Sequence, residues 1–257
     1  MSLDEPARIA AYVASMPPAY RQSFDLEATR LHAAIVERRG ARTAHVEIWK
    51  ELSERVVAIC VVADDKPGLL SSISAALVEH RIDVVGADAF CRTRPDGVIE
   101  AVDLLWIRRL PSARGAVAPI RAKDVLALGV AIEAAVASAG GLVSQRVPTS
   151  AVEAPPVASG SSARILFDLT GEDGGTMLTV EAVDRPGLLL AVTQALFRAG
   201  IQIVGLRATT ERGCAVDRFQ LAEKNGAPLR QSRLLELQAH VLGALDEGLP
   251  QVRSRAG

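Results

Sequence analysis

A short segment that occurs twice constrains this 257-residue sequence more than any other feature. The first copy reads Asp-Lys-Pro-Gly-Leu-Leu at 65–70, and the second reads Asp-Arg-Pro-Gly-Leu-Leu at 184–189. An apolar run precedes each copy and apolar residues at helical spacing follow it, so each is predicted to turn a strand into a helix. Proline suits the start of a helix, and glycine allows a sharp turn and the close approach of a ligand.

The similarity between the two halves extends well beyond this turn. The strand at 82–86 recurs 119 positions later at 201–205, and Ala101-Val102-Asp103 recurs 114 positions later as Ala215-Val216-Asp217. Such regular internal similarity indicates a structural duplication. The apolar face of the predicted helix also recurs at 119 positions without a gap, as Leu69, Leu70, Ile73, Ala76, Leu77 and then Leu188, Leu189, Val192, Ala195, Leu196.

Each half is predicted to run strand, strand, helix, strand, strand, helix. This order indicates an α+β fold in which two helices cover one face of a four-stranded sheet, a sandwich of ferredoxin-like type. The usual βαββαβ order ends on a strand, whereas here each half begins with an additional one, at 43–49 and 164–169. We therefore predict that each unit is circularly permuted, with the additional strand in the place of the usual fourth. In the alternative, 164–169 completes the first sheet and 250–254 completes the second.

These patterns divide the chain into four parts. Residues 1–40 lack a strand pattern and are predicted to form a helical segment that packs on a domain or takes part in an oligomer contact, with His32 as an ordinary surface or half-buried histidine. The first unit is placed at 41–147 and the second at 164–257. Residues 148–163 are rich in proline, serine and alanine without periodicity, which is typical of a linker.

Composition excludes several classes of function. A formal net charge of −1 and only 4% aromatic residues argue against nucleic-acid binding and against acidic membrane surfaces. Three isolated cysteines fit a reduced, cytoplasmic protein, and neither a signal peptide nor a membrane span of about 18 apolar residues is predicted. The scattered histidines form no metal-binding set, and no cofactor is expected.

No catalytic motif is recognised, so the chain is predicted not to be an enzyme. There is no P-loop, nucleophile elbow or zinc-protease helix. Ser71 and Ser72 fall inside the predicted helix without a histidine in suitable order, and the second half has Leu190 and Ala191 at those positions. A catalytic serine is expected in a turn with a base within reach.

The Asp-(Lys/Arg)-Pro-Gly-Leu-Leu turn, the Ile-x-(Val/Ile)-Val strand and the Ala-Val-Asp strand together resemble the ACT domain family of amino-acid-sensing regulatory modules. Their order and spacing hold twice, over about 43–140 and 164–247. The tandem arrangement is similar to the C-terminal sensor region of the bifunctional uridylyltransferases that modify the nitrogen regulator PII. This resemblance implies a regulatory protein that binds a small amino acid, with glutamine as the leading candidate. It also implies homo-oligomers through sheets or helices and a regulatory protein partner.

The residues themselves suggest how an amino acid could be held. Backbone N–H groups at a helix start suit its carboxylate, and Asp65 or Asp184, with help from Asp64, could hold its ammonium group. The resemblance places Asp83 and Gln202 where a partnering module touches the ligand. The predicted ligand-binding residues are Asp65, Pro67, Gly68, Leu69, Leu70, Asp83, Asp184, Pro186, Gly187, Leu188, Leu189 and Gln202.

Structural roles compete with this interpretation. The turn aspartates could simply cap helices, the two glycines could serve only a tight turn, and Asp83 could face solvent. Asp103 and Asp217 are expected to take part in sheet or interface hydrogen bonds rather than in ligand contact. Because Asp83 stands where the second half has an amide, the two sites are expected to differ. The turn at 184–189, with Gln202 opposite, is favoured as the functional one. Two alternatives remain, a ligand-free interaction scaffold and a stand-alone relative of the PII uridylyltransferase that lacks its catalytic domains.

Overall fold

A computed structural model describes residues 5–112, 115–137, 163–169 and 175–247 of the chain. Three helices come first, and two units of four strands and two helices follow. The helices are α1 (Glu5–Ser15), α2 (Pro18–Ser23), α3 (Leu26–Arg39), α4 (Leu69–Glu79), α5 (Ala122–Ala137), α6 (Leu188–Arg198) and α7 (Gln231–Glu247). The strands are β1 (Ala44–Glu51), β2 (Val56–Asp64), β3 (Ile82–Thr93), β4 (Ile99–Arg109), β5 (Arg164–Asp168), β6 (Thr176–Val183), β7 (Ile201–Glu211) and β8 (Cys214–Glu223).

The eight strands form one continuous antiparallel sheet in the order β1-β2-β4-β3-β7-β8-β6-β5. Within each unit the additional first strand pairs with the second, so β1 lies beside β2 and β5 beside β6. This confirms the ferredoxin-like α+β fold and its permutation. The alternative, in which 164–169 completes the first sheet, is wrong, because β5 pairs with its own unit; residues 250–254 lie outside the described part of the chain.

The two units meet edge to edge where β3 pairs with β7. Their register runs from Gly86 opposite Thr209 to Ala89 opposite Leu206. The repeat offset of 119 residues relates β3 to β7, so an approximate twofold axis passes through the pair formed by Asp88 and Arg207. Helices α4 and α6 also contact each other across this junction.

The main core lies between the sheet and helices α4 to α7, and it spans both units. Alternate residues of each strand point towards these helices, as the period of two requires. On β2, which has apolar residues on both faces, Val57, Ile59, Val61 and Ala63 supply this core. Leu105, Leu178 and Phe219 extend it along the sheet, and all three are completely buried.

Helices α1 to α3 cover the opposite face of the first unit only. Tyr20, Ile35 and other residues of this segment pack against Cys60, Val62, Val102 and Leu104. At the positions equivalent to these four, the second unit has Thr179, Glu181, Val216 and Arg218, which are half-buried or exposed. The polar face of the second unit therefore explains why the helices pack on the first.

Helix α3 begins at an aspartate cap, and one of its residues does not lie where expected. Asp25 precedes the helix, and its Oδ1 accepts a hydrogen bond from the backbone N–H of Ala28 at 2.8 Å. His32 is fully buried instead of lying at the surface or half-buried. Its Nδ1 is 2.8 Å from the hydroxyl of Tyr20, and its ring packs edge-on against Trp49, so aromatic contacts draw it inwards.

A buried ion-pair network joins α3 to the sheet. Arg39, with a side chain only 3% exposed, contacts Glu100 and Asp64, each at 2.6 Å. Arg92 contacts the other oxygen of Glu100 at 2.6 Å. Asp64, expected to assist ligand binding, is instead engaged by Arg39, because its side chain follows the β2 face that the N-terminal helices cover.

Candidate functional site

Both repeated turns have the same backbone geometry. Helix α4 begins after Gly68 and α6 begins after Gly187, with φ of +81° and +80° at these N-cap positions. Residues with a side chain rarely adopt this left-handed conformation, so the backbone itself requires glycine. Since glycine has no side chain, no N-cap group occupies the N–H groups of either first helical turn.

The prolines and the first leucines of the turns have roles within the turns. Pro67 and Pro186 lie just before the N-cap glycines rather than inside the helices. The N–H of Leu69 donates to the carbonyl of Lys66 at 3.0 Å, and the N–H of Leu188 donates to the carbonyl of Arg185 at 3.1 Å. The donors that remain for a ligand therefore belong to the glycine and to the residues after these leucines.

Each turn faces a strand of the other unit, and a small cavity lies at each of these seams. Seam site A is the cavity of about 40 Å³ between the first turn and β7. The amide Nε2 of Gln202 donates to Oδ2 of Asp65 there at 3.4 Å. Of the predicted residues, those that line seam site A are Asp65, Pro67, Gly68, Leu69, Leu70 and Gln202.

Seam site B is the equivalent cavity, of about 30 Å³, between the second turn and β3. An ion pair crosses it. Oδ2 of Asp83 lies 2.7 Å from Nη2 of Arg108, and the same nitrogen lies 3.7 Å from Oδ2 of Asp184. Of the predicted residues, those that line seam site B are Asp83, Asp184, Gly187, Leu188 and Leu189, with Pro186 in the adjoining turn.

The pairing of strands with turns is the reverse of the favoured prediction. Gln202 faces Asp65 of the first turn, and Asp83 faces Asp184 of the second. The reason is the edge-to-edge junction, which places β7 beside the first unit and β3 beside the second. A strand that follows a turn in the sequence therefore serves the turn of the other unit.

Two further acids belong to these sites, Asp103 at site A and Asp217 at site B. They are only 3% and 4% exposed, and neither carboxyl has a hydrogen-bond or ion-pair partner among the described residues. Burial and the neighbouring Asp65 carboxylate raise the pKa of Asp103 to about 8. Burial and Asp184 raise the pKa of Asp217 to about 7. The sequence predicted sheet or interface hydrogen bonds for both acids. In both copies, however, the acid lies on the same face of its strand as the core residues, and this position could have indicated a buried carboxyl group.

The turn aspartates are also partly buried. Burial raises the pKa of Asp65, against the opposing effect of hydrogen bonds with Gln202 and Cys91. Burial likewise raises the pKa of Asp184, which Arg108 and a hydrogen bond with Thr210 oppose. Each seam therefore holds a turn aspartate and a strand aspartate, Asp65 and Asp103 or Asp184 and Asp217, whose charged forms are disfavoured by desolvation.

One aromatic side chain distinguishes the two cavities. A Cβ placed on Gly68 would lie 2.8 Å from Cε2 of Phe197, so this ring closes over the first turn. The position equivalent to Phe197 in the first unit is Val78, which lines seam site B. Seam site A is thus covered by a larger side chain from the other unit.

Within 5–112, 115–137, 163–169 and 175–247, no three histidine, cysteine or acidic side chains are placed to hold a metal ion. None of the helices in these ranges has the length and apolar character that crossing a membrane requires.

The described chain consists of two permuted ferredoxin-like units that are joined edge to edge, with a Pro-Gly turn at each seam, and this arrangement resembles a tandem of ACT-type modules. It resembles the C-terminal part of the bifunctional uridylyltransferase/uridylyl-removing enzyme. The enzyme of Rhodospirillum rubrum is 26% identical over 243 residues, which cover 91% of this chain and 25% of the relative. That of Gluconobacter oxydans is 30% identical over 232 residues, which cover 85% of this chain and 23% of the relative.

The chain thus spans about a quarter of the length of the curated relatives it matches. No family model matches it. Among solved structures, an unknown protein from Galdieria sulphuraria is 18% identical, with a TM-score of 0.23 over 75% of this chain and 92% of that one. This structural likeness is too weak to support an inference.

Proposed function

We propose that the chain is a regulatory module that binds a free α-amino acid at the seam between its two units. One observation carries the proposal. At seam site A two buried carboxyl groups, Asp65 and Asp103, lie close together beside an uncapped helix start, and no cation among the described residues pairs with either. Buried charges are normally paired, so this arrangement suits a ligand that brings its own cation.

An α-amino acid matches this arrangement at both ends. Its ammonium group suits the carboxyls of Asp65 and Asp103, and its carboxylate suits the N–H groups at the start of α4, where the helix dipole favours an anion. Gln202 adds an amide from the other unit, so the ligand contacts both units at once. Occupancy therefore favours the arrangement in which the units are joined, which is how binding becomes a regulatory signal.

Glutamine is the ligand we propose first, on the strength of the resemblance to the uridylyltransferase. The relatives carry an enzymatic name, and the chain matches only their C-terminal part, which supports a regulatory and non-catalytic role. We further propose that the protein acts in the cytoplasm, as a homo-oligomer that transmits ligand occupancy to a regulatory protein partner.

The size of seam site A favours a second candidate function, that of a ligand-free interaction scaffold. A cavity of about 40 Å³ has room for a few water molecules only. An amino acid enters only if the half-buried Phe197 ring turns away from Gly68. Amino-acid binding thus requires Phe197 to move, whereas a scaffold can function while the cavity of seam site A stays closed.

A thermal-shift panel of the twenty L-amino acids, followed by calorimetry, tests the proposal. We expect one or a few of them, with L-glutamine foremost, to raise Tm in a saturable way, because a ligand at 100 times its Kd stabilises by about 2.7 kcal/mol. D-glutamine serves as the stereochemical control. If none of the twenty shifts Tm at millimolar concentration, the sensor function is rejected and the scaffold is favoured.

A matched pair of variants connects the effect to the site. Asp65→Asn removes an ammonium partner and is expected to weaken binding at least about tenfold, the effect of losing one charged hydrogen bond. Glu79→Gln alters an exposed acid at the other end of the same helix and should leave binding unchanged.

Proton release provides a second measurement. Since the pKa of Asp103 is raised to about 8, the binding of an ammonium group beside it should make this carboxyl release a proton near pH 7.5. Calorimetry in buffers of different ionisation enthalpy detects that release.

A further inference from the structure

We propose that only seam site A takes a ligand, and that Arg108 closes seam site B as a built-in cation. The inference rests on the proposed function and refines it to one ligand for each chain. It reverses the ranking that the sequence suggests, in which the second turn is the functional one. The geometry around a single guanidinium supports it.

Arg108 stands between two carboxylates that belong to different units. It lies on β4, directly opposite Asp83 in the register of β3. Its Nε and Nη2 reach Oδ2 of Asp83 at 2.9 and 2.7 Å, and Nη2 lies 3.7 Å from Oδ2 of Asp184. At seam site A, the equivalent turn residue is Asp65 and the ligand ammonium is proposed to lie beside it. At seam site B, the equivalent turn residue is Asp184, and the guanidinium of Arg108 already lies 3.7 Å from it.

The repeat lacks a second copy of this arginine. The residue equivalent to Arg108 in the second unit is Ala222, and the residue equivalent to Asp83 is Gln202. Seam site A therefore has a neutral amide where seam site B has an ion pair. Lys66 borders seam site A but is exposed, and it forms no ion pair with Asp65 or Asp103 in the described part of the chain.

A ligand ammonium at seam site B would have to displace the arginine. The guanidinium is tethered to the chain, and a tethered group acts at an effective concentration in the millimolar range or above. Displacement would in addition leave Asp83, a side chain only 4% exposed, without its cation. We therefore expect seam site B to bind an amino acid on the order of 100-fold more weakly than seam site A.

Calorimetric titration of the full chain with L-glutamine, or with whichever amino acid the panel identifies, tests the stoichiometry. We expect one ligand for each chain, with binding weakened at least about tenfold in Asp65→Asn and unchanged in Asp184→Asn. Arg108→Ala should open a second site, which Asp184→Asn then removes. Arg109→Ala breaks the neighbouring ion pair with Asp124, 3.0 Å long, and should leave the stoichiometry at one. Two ligands on the unaltered chain, or loss in Asp184→Asn alone, would overturn the inference.

A measurement without ligand keeps this test separate from the proposed function. If Arg108 is the cation of seam site B, Arg108→Ala lowers Tm in the free protein. Asp184→Asn should lower Tm less in the Arg108→Ala background than in the unaltered chain, because its cation is already gone. Strictly additive Tm changes would refute the role of Arg108 even if glutamine binds. If no amino acid binds but the two changes couple, the proposed function fails while the assignment of Arg108 stands.

Discussion

Arg207 donates a hydrogen bond from its Nε to Oδ1 of Asp88, 3.0 Å away, across the strands that join the two units. The offset of 119 residues that relates the repeats also relates Asp88 to Arg207, so both occupy the same position of the repeat, on the approximate twofold axis. Identical copies would place like charges opposite each other there, which destabilises a strand pair. Because the two positions carry opposite charges, pairing of β3 with β7 is favoured over pairing of either strand with another copy of itself.

Reversing one of these charges should weaken the junction. Arg207→Asp places two carboxylates opposite each other and is expected to lower the free energy of unfolding by about 1 kcal/mol, measured by urea denaturation. The double variant Asp88→Arg/Arg207→Asp should recover most of this loss, except for the hydrogen bond that Arg207 donates to Ser23. An unchanged stability in the single variant would mean that solvent screens the pair, since the Arg207 side chain is 52% exposed.

Gly68→Ala should cost more stability than the same change at another left-handed glycine. Gly97 has a φ of +83° and nothing within 4 Å of an added Cβ, so Gly97→Ala measures the backbone strain alone, about 1–2 kcal/mol. At Gly68 the added Cβ also meets the ring of Phe197 at 2.8 Å. Denaturant titration should therefore show a larger loss for Gly68→Ala, and Phe197→Ala should remove the difference between the two variants.

Stability should fall as pH rises from about 4 towards 8. The folded pKa of Asp103, about 8, exceeds its ordinary value of 3.8, so the folded state binds a proton that the unfolded state has already lost in this range. Such a group stabilises the fold fully below pH 4, and its contribution is lost as pH approaches 8, at about 1.4 kcal/mol for each pKa unit.

Asp103→Asn checks this pH dependence. An asparagine imitates the protonated acid at every pH, so the variant should show a flatter profile of unfolding free energy against pH than the unaltered chain, and greater stability near pH 8. Asp217→Asn should also flatten the profile, but only up to about pH 7, because the folded pKa of Asp217 is about 7. Parallel profiles for the variant and the unaltered chain would show that Asp103 ionises at its ordinary pKa.

Arg39→Ala should loosen the N-terminal helices. The change leaves the buried Glu100 with Arg92 alone and Asp64 with Arg94 alone, and removing one partner of a buried ion pair costs about 3–5 kcal/mol. Hydrogen exchange should become faster over α1 to α3 than in the rest of the first unit. Arg38→Ala removes an exposed contact with Glu47 and should cost less than about 1 kcal/mol. Equal effects of the two variants would contradict a specific role for the buried network.

The topology could be predicted from the sequence because the repeat supplies independent evidence for each element. The offset aligns two turns, two helical faces and two strands, and the early strands at 43–49 and 164–169 require the permuted order. The position of the N-terminal helices was harder to predict. Both faces of β2 are apolar, so the strand does not show which face the N-terminal helices cover. The apolar Cys60 and Val62 are replaced in the second unit by the polar Thr179 and Glu181, but this difference indicates the covered face only once the direction of each side chain is known.

The site was only partly predictable, since its halves come from different units. The turn residues carry a local pattern, but the partner of each turn depends on which sheet edges meet. Gln202 follows the second turn in sequence and yet serves the first. Asp103 was predicted to take part in sheet or interface hydrogen bonds, because a strand position alone does not show that an acid borders a cavity. Arg108 was not predicted, because it has no counterpart in the repeat.

The exchange of strands at the seams means that neither unit carries a whole site. At equivalent positions of the two copies, an amide stands at 202 and an acid at 83, while the arginine at 108 has no copy at 222. A single half that paired with another copy of itself would combine the first turn with Asp83, or the second turn with Gln202, and would reproduce neither seam. Each copy therefore depends on the other to complete its site, as two different subunits of a heterodimer would. A recombination event that removed either copy would remove both sites at once.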